Sequence, residues 1–406
     1  MGKISVFEIV LSNPQGVYFT GQVLQGHVIL ELTEIIKLRG IRISFRGKAF
    51  VHWTDQSMRG AGQSRFREVR HHSATEEYLD ISLALLARGS KSEEKKILPP
   101  GQYTYPFQIE LPYNLPSSFE GQFGFVRYWV VVNIEKPWNT DYSVKKVFTV
   151  ICPVDLNREP TASTSSQCRK QKRMCCLCCR SGPVCAELCV NQKGYVPGEP
   201  LYINAEVTNL SRRKMGVSSV ALRMSVVFHT PGKSRSVTQQ VCKMKHGQVP
   251  AGETDLWEGE KMVIPPLPPS FLLGCNIIDI KYTIELRVDP VGPAFDLCVP
   301  VDIIIGTIPI QSSVQKYLAA SRSAVPTRQV PRPLPLPPLP LGAAPPGALY
   351  ENTPVLAPHF VDYVFGKRYI RDDDNNGDHA RGDVYFCPQY VYYRLDIPAN
   401  QHTHRH

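Results

Sequence analysis

No stretch of this sequence is apolar for long enough to span a bilayer as a helix, so no transmembrane helix is expected. Charged and polar residues interrupt positions 1–15 before an apolar run forms, which argues against a secretory signal. Helical periodicity is nearly absent, and that excludes helix bundles. The chain also lacks the Gly-x-Ser-x-Gly elbow, the phosphate-cradling loop and the His-Glu-x-x-His pair. With no residues to carry a reaction, neither an enzyme nor a cofactor is expected. Nor do aromatic and basic side chains interleave as a stacking platform for nucleic acid requires, so nucleic acid is not an expected partner.

Proline is abundant, with 35 among 406 residues, and it crowds toward the C-terminus. That asymmetry points to a folded part followed by an unfolded one, and the length suits two domains rather than one. Of the 12 cysteines, six bunch between Cys175 and Cys189. Adjacent pairs such as Cys175-Cys176 bridge poorly, so reduced thiols in a cytoplasmic protein fit better than disulfides. The net charge of +10 comes largely from Arg65–His72, Arg169–Arg173 and Arg212–Lys214. Such patches are either solvated loops or sites of weak attraction to anionic headgroups or phosphorylated partners, which would give peripheral membrane association only.

Up to about residue 310 the chain reads as short strands broken by turn residues. Ile41–Arg46 alternates apolar and polar side chains as a half-buried strand must. Gly26–Leu32, Tyr103–Leu111, Phe125–Glu135, Leu201–Val207, Val217–Val227, Ile277–Val288 and Val299–Ile305 behave alike. There is also an internal echo. Val17-Tyr18-Phe19-Thr20-Gly21-Gln22 returns as Gly194-Tyr195-Val196-Pro197-Gly198-Glu199, and Leu115-Pro116-Ser117-Ser118-Phe119 returns as Leu267-Pro268-Pro269-Ser270-Phe271. Each second motif precedes a strand with a tyrosine, Tyr128 or Tyr282. The order is the same in both halves, so one sandwich is expected twice.

The expected class is therefore all-β, with a first sandwich over 1–155, a basic cysteine-rich linker over 156–180 and a second sandwich over 181–309. After Pro309 alternation stops, and the run Arg332–Pro340 cannot join a sheet because its prolines lack donors. Residues 310–406 are expected to be a disordered tail rich in proline and tyrosine.

These landmarks resemble the arrestin-domain-containing proteins, or α-arrestins. The matching residues are Gly101–Pro112, Pro116–Gly121 and Val126–Tyr128 in the first half. In the second they are Cys175-Cys176-Leu177-Cys178-Cys179, Ser181–Pro183, Lys193–Glu199 and Ile305-Gly306-Thr307-Ile308-Pro309. The resemblance spans residues 5–310. It implies two immunoglobulin-like, arrestin-type antiparallel β-sandwiches with no catalytic machinery. It further implies an adaptor that binds membrane receptors or transporters as cargo and brings HECT-type ubiquitin ligases to them, moving from cytoplasm to plasma membrane or endosomes. Family members dock the ligase with Pro-Pro-x-Tyr. This chain departs from that motif, because its nearest segment, Cys387-Pro388-Gln389-Tyr390, lacks the first proline. The buried charged core on which arrestins of phosphorylated receptors depend is not identifiable from the sequence. Thioredoxin-binding relatives carry a cysteine three residues before the tryptophan matching Trp257, where this chain has Thr254.

Further candidates come from spacing alone. Arg332, Pro335 and Pro338 form Arg-x-x-Pro-x-x-Pro, which suits an SH3-type groove or merely spaces the tail. Tyr392-Tyr393-Arg394-Leu395 fits the tetrapeptide read by clathrin adaptors, with Tyr392 and Leu395 as anchors. Asp372, Asp374, Asn376 and Asp383 imitate a calcium loop, but His379 and the flanking glycine and proline oppose it. Cys175, Cys178, Cys185 and Cys189 are weak candidates for a zinc ion, against S-acylation beside Lys170–Arg173 or simple burial. A redox- or metal-responsive scaffold is the alternative reading.

Overall fold

The structure is a computed structural model describing residues 3–59, 66–87, 96–137, 142–173, 182–291, 296–323, 357–370 and 380–395. The first sandwich contains β1 (Ile4–Leu11), β2 (Val17–Phe19), β3 (Val23–Leu32), β4 (Ile36–Leu38), β5 (Gly40–Arg59) and β6 (Phe66–Leu86). It continues with β7 (Lys96–Leu98), β8 (Gly101–Glu110), β9 (Phe119–Glu120), β10 (Gly124–Glu135) and β11 (Tyr142–Ile151). One sheet has the order β1-β3-β8 and the facing sheet β2-β11-β10-β5-β6, with β4 and β7 paired apart. Along β3 the apolar residues Leu24, Val28, Leu30 and Leu32 are buried while Val23, Gln25 and Glu31 are exposed, as a strand with one core face requires.

The second sandwich contains β12 (Ser166–Arg173), β13 (Pro183–Val190), β14 (Gly194–Tyr195), β15 (Pro200–Asn209), β16 (Met215–Thr230), β17 (Lys233–Gln248), β18 (Thr254–Val263), β19 (Ile278–Pro290) and β20 (Leu297–Ile305). Its sheets run β12-β13-β15-β18 and β14-β20-β19-β16-β17. The stretch 156–180 is thus not linker throughout. Residues of β12 pair with β13 from Ser166↔Val190 to Arg173↔Pro183, and their cations keep an edge strand from pairing further.

The internal echo is a structural duplication. Tyr128 donates its hydroxyl to the Pro116 carbonyl at 2.7 Å, and Tyr282 donates to the Pro268 carbonyl at 2.8 Å. The Ser118 hydroxyl accepts the Val150 N–H, and the Ser270 hydroxyl accepts the Ile305 N–H, both at 2.9 Å. In each half a short strand pairs in parallel with the last one, β2 with β11 and β14 with β20. Gln22 accepts the Phe19 N–H in the first turn, and Glu199 accepts the Val196 N–H in the second.

The sandwiches share one contiguous buried cluster. Across the seam, Asn276 donates its backbone N–H and side-chain amide to Glu76, each at 3.0 Å, and Lys233 pairs with Asp55. Of region 310–406, residues 324–356, 371–379 and 396–406 lie outside the described residues. The rest forms α1 (Gln311–Ser323), β21 (His359–Asp362), β22 (Arg368–Tyr369), β23 (Ala380–Gly382), β24 (Tyr385–Phe386) and β25 (Gln389–Tyr392). Among the described residues no helix is long and apolar enough to cross a membrane.

Candidate partner-binding surface

The second part of the tail lies across the seam between the sandwiches. β21 pairs with β25, β22 with β24, and β23 adds in parallel to β11 of the first sandwich. Tyr390 is 1% exposed and donates its hydroxyl to the Ser118 carbonyl at 2.9 Å. Tyr363 stands edge-on to both Tyr390 and Phe119. Five residues on from Pro388, the other sandwich takes over. Tyr393 donates its N–H to the Pro197 carbonyl and its hydroxyl to the Thr307 carbonyl. Gly198 is required here, because its φ of +88° suits glycine and an added Cβ would lie 1.8 Å from the Tyr393 carbonyl. Tyr317 of α1 donates to the Arg394 carbonyl at 3.1 Å, tying helix and tail together.

Asp383 anchors the middle of the tail. One carboxylate oxygen accepts the Val147 N–H at 2.8 Å and the other lies 3.4 Å from the Lys146 ammonium. Ile370 and Phe386 pack on Val147 and Trp129. Beside them a hollow of about 350 Å³ opens on the outer face of β5, β10 and β11, lined by Arg46, Lys48, Trp129, Asn133, Ser143 and Lys145. Nearer the seam Arg127 makes a two-pronged ion pair with Glu120, at 2.8 and 3.0 Å, and both are 3% exposed. Sequence reading located no such buried charge; the pair is only seven residues apart, but its burial depends on β9 folding back against β10.

The candidate residues now have places. Pro388, Tyr390 and Leu395 are buried and Tyr392 is half-buried in β25, so neither the Pro-x-Tyr segment nor the tyrosine tetrapeptide is accessible while the tail is docked. The contacts that bury these segments join residues up to 272 positions apart and leave no local trace in the sequence. Arg332, Pro335 and Pro338, with Asp372, Asp374 and Asn376 of the calcium-like loop, lie outside the described residues; Asp383 serves β11 instead. Cys175 and Cys178 also lie outside. Cys185 and Cys189 stand four residues apart on β13, about 13 Å in an extended strand. Two thiolates on one zinc sit within about 4 Å of each other, so a site using both is excluded. Tyr363 carries no motif in the sequence, and Asp383, Tyr393 and Thr307, though they fall within motifs, take structural roles that those motifs do not announce.

Against known families, the Arrestin (or S-antigen) N-terminal domain matches residues 7–157 and the corresponding C-terminal domain residues 180–310. The chain belongs to the arrestin family. It is 33% identical over 349 residues to arrestin domain-containing protein 17 of Caenorhabditis elegans, covering 81% of this chain and 78% of that one. To arrestin domain-containing protein 4 of Mus musculus it is 31% identical, over 76% of this chain and 73% of the relative. The human thioredoxin-interacting protein is 28% identical over 79% of each. These relatives place the protein among the α-arrestins, which are adaptors or scaffolds and not enzymes.

Proposed function

We propose that this α-arrestin is a trafficking adaptor whose body engages a membrane receptor or transporter while its tail brings in a HECT-type ubiquitin ligase or an endocytic partner. It works from the cytoplasm and reaches plasma membrane or endosomes through its cargo. The observation that carries this reading is the tail laid over the seam, with Pro388–Tyr390 and Tyr392–Leu395 held against both sandwiches. A peptide so seated reaches a partner only after it leaves the body. Recruitment and release are thereby coupled, because each partner competes with the same contacts.

The test compares three tagged chains by affinity purification: wild type, a double variant Tyr363→Ala/Asp383→Ala that spares both tail motifs, and a truncation ending at Pro309. More ligase or clathrin adaptor from the undocked variant than from wild type, and none from the truncation, is the expected pattern. Equal recovery from the truncation places the dock on the sandwiches. No ligase and no clathrin adaptor from any chain rejects the reading. The redox-responsive scaffold gains support only from the relative named for thioredoxin. Burial pushes the thiols of Cys152, Cys242, Cys275, Cys298 and Cys387 up from their ordinary value, which opposes ready thiolate chemistry. Capture of thioredoxin in a dithiothreitol-sensitive complex would revive it.

A further inference from the structure

The two copies of the Leu-Pro-x-Ser-Phe motif hold their last residue, a phenylalanine in both, in different ways. In the first, Phe119 is fully buried and Tyr363 meets it edge-on at 6.4 Å. In the second, Leu267 and Ser270 keep their buried places, but Phe271 stands at φ +69° and Leu272 at φ +41°. These are the only non-glycine residues with positive φ among the described residues. A bulky L-residue is strained there. Phe271 recovers little by packing, since it is 41% exposed, and Leu273 beside it is 48% exposed.

Both side chains line a hollow of about 350 Å³ at the junction of the sandwiches, with Pro153, Val154, Ile304 and Ile308 on its walls. Asp155, Arg158 and Glu159 form its rim, two carboxylates against one guanidinium. Glycine at 271 would relieve the backbone at once, so folding alone does not account for an aromatic held in water beside an apolar hollow.

We infer that this hollow is a docking site for an extended peptide of a partner protein, one that places an aromatic side chain against Phe271 and a basic residue on the Asp155–Glu159 rim. The first copy displays the chemistry of such an occupant. There the tail lays Tyr363 against Phe119, with Phe365 edge-on to Tyr363, and follows them with Lys367 and Arg368. Glu120 is the nearby carboxylate, held in its own pair with Arg127, and burial above all pushes the Tyr363 hydroxyl up from its ordinary pKa. The second copy offers the same elements, an aromatic ring and carboxylates, with nothing of this chain's described residues laid over them as Tyr363 is over Phe119. A flat anionic bilayer fits less well, because the surface is concave and its rim carries more negative than positive charge. The site does not depend on which ligase or endocytic partner the tail recruits.

The probe is a fluorescent peptide with the sequence of residues 362–369, titrated into the full-length protein, whose own Tyr363 already fills the first copy. Saturable binding that weakens at least about tenfold in Phe271→Gly is expected, the loss typical of a central anchor. A version of the peptide with both cations replaced by glutamate should weaken likewise. The same Phe271→Gly protein should melt at a higher temperature than wild type, since glycine tolerates the left-handed backbone. Three results overturn the inference. The peptide binds Phe271→Gly as well as wild type or binds neither, Phe271→Gly melts lower, or Phe271 is needed only for sedimentation with phosphatidylserine vesicles.

Discussion

Gln22 and Glu199 hold the same turn in the two sandwiches, yet one is an amide and the other a carboxyl. Burial dominates at Glu199, whose pKa is pushed up to about 7 from an ordinary 4.5 despite the Val196 N–H and Gln192 amide that favour the charged form. The folded protein therefore holds this proton more tightly than the unfolded chain does. Its contribution to stability is full below about pH 4.5, falls as pH rises and is gone above about 7, a swing on the order of 3 kcal/mol. Urea denaturation across that window should show the decline in wild type, and Glu199→Gln, which copies Gln22, should flatten it. An unchanged pH profile in the variant would place the titration elsewhere.

At the scale of elements, β23 and its neighbours are held by a few contacts rather than by a sheet of their own. β23 pairs with β11 over Ser143–Lys145, Asp383 takes the Val147 N–H, and Tyr363 fills the space beside Phe119 and Tyr390. Removing a buried aromatic ring typically costs about 3–5 kcal/mol, more than so small an element can supply from elsewhere. Tyr363→Ala should accordingly speed amide exchange in peptides from 357–370 and 380–395, leaving β5, β10 and β19 protected. Unchanged exchange in the tail would show that β25 and Tyr393 suffice to hold it.

Over the whole molecule the tail acts as a strap. Tyr390 is bonded to the first sandwich through Ser118, and Tyr393 to the second through Pro197 and Thr307. The seam has its own contacts at Glu76–Asn276 and Asp55–Lys233, so the domains stay joined without the tail but less firmly. A chain ending at Pro309 should melt at a lower temperature and show a larger radius of gyration by small-angle scattering than the full chain. Matching values would mean that the tail rests on the body without bracing it.

The sequence by itself determined the strands, the duplication and the family. Period-two alternation is local, and the paired motifs at Leu115–Phe119 and Leu267–Phe271 carry their turn residues with them, so Tyr128 and Tyr282 could be singled out before any contact was known. Proline and glycine likewise marked where alternation ended near Pro309. Only the tertiary structure decided that Tyr390, Tyr392 and Leu395 are packed into the seam, that Arg127 and Glu120 share a buried place and that Phe271 points outward where Phe119 points in. Each of these depends on surfaces assembled from distant parts of the chain, or on a backbone turned against its residue's preference. Neither circumstance leaves a periodic signal in the order of the amino acids.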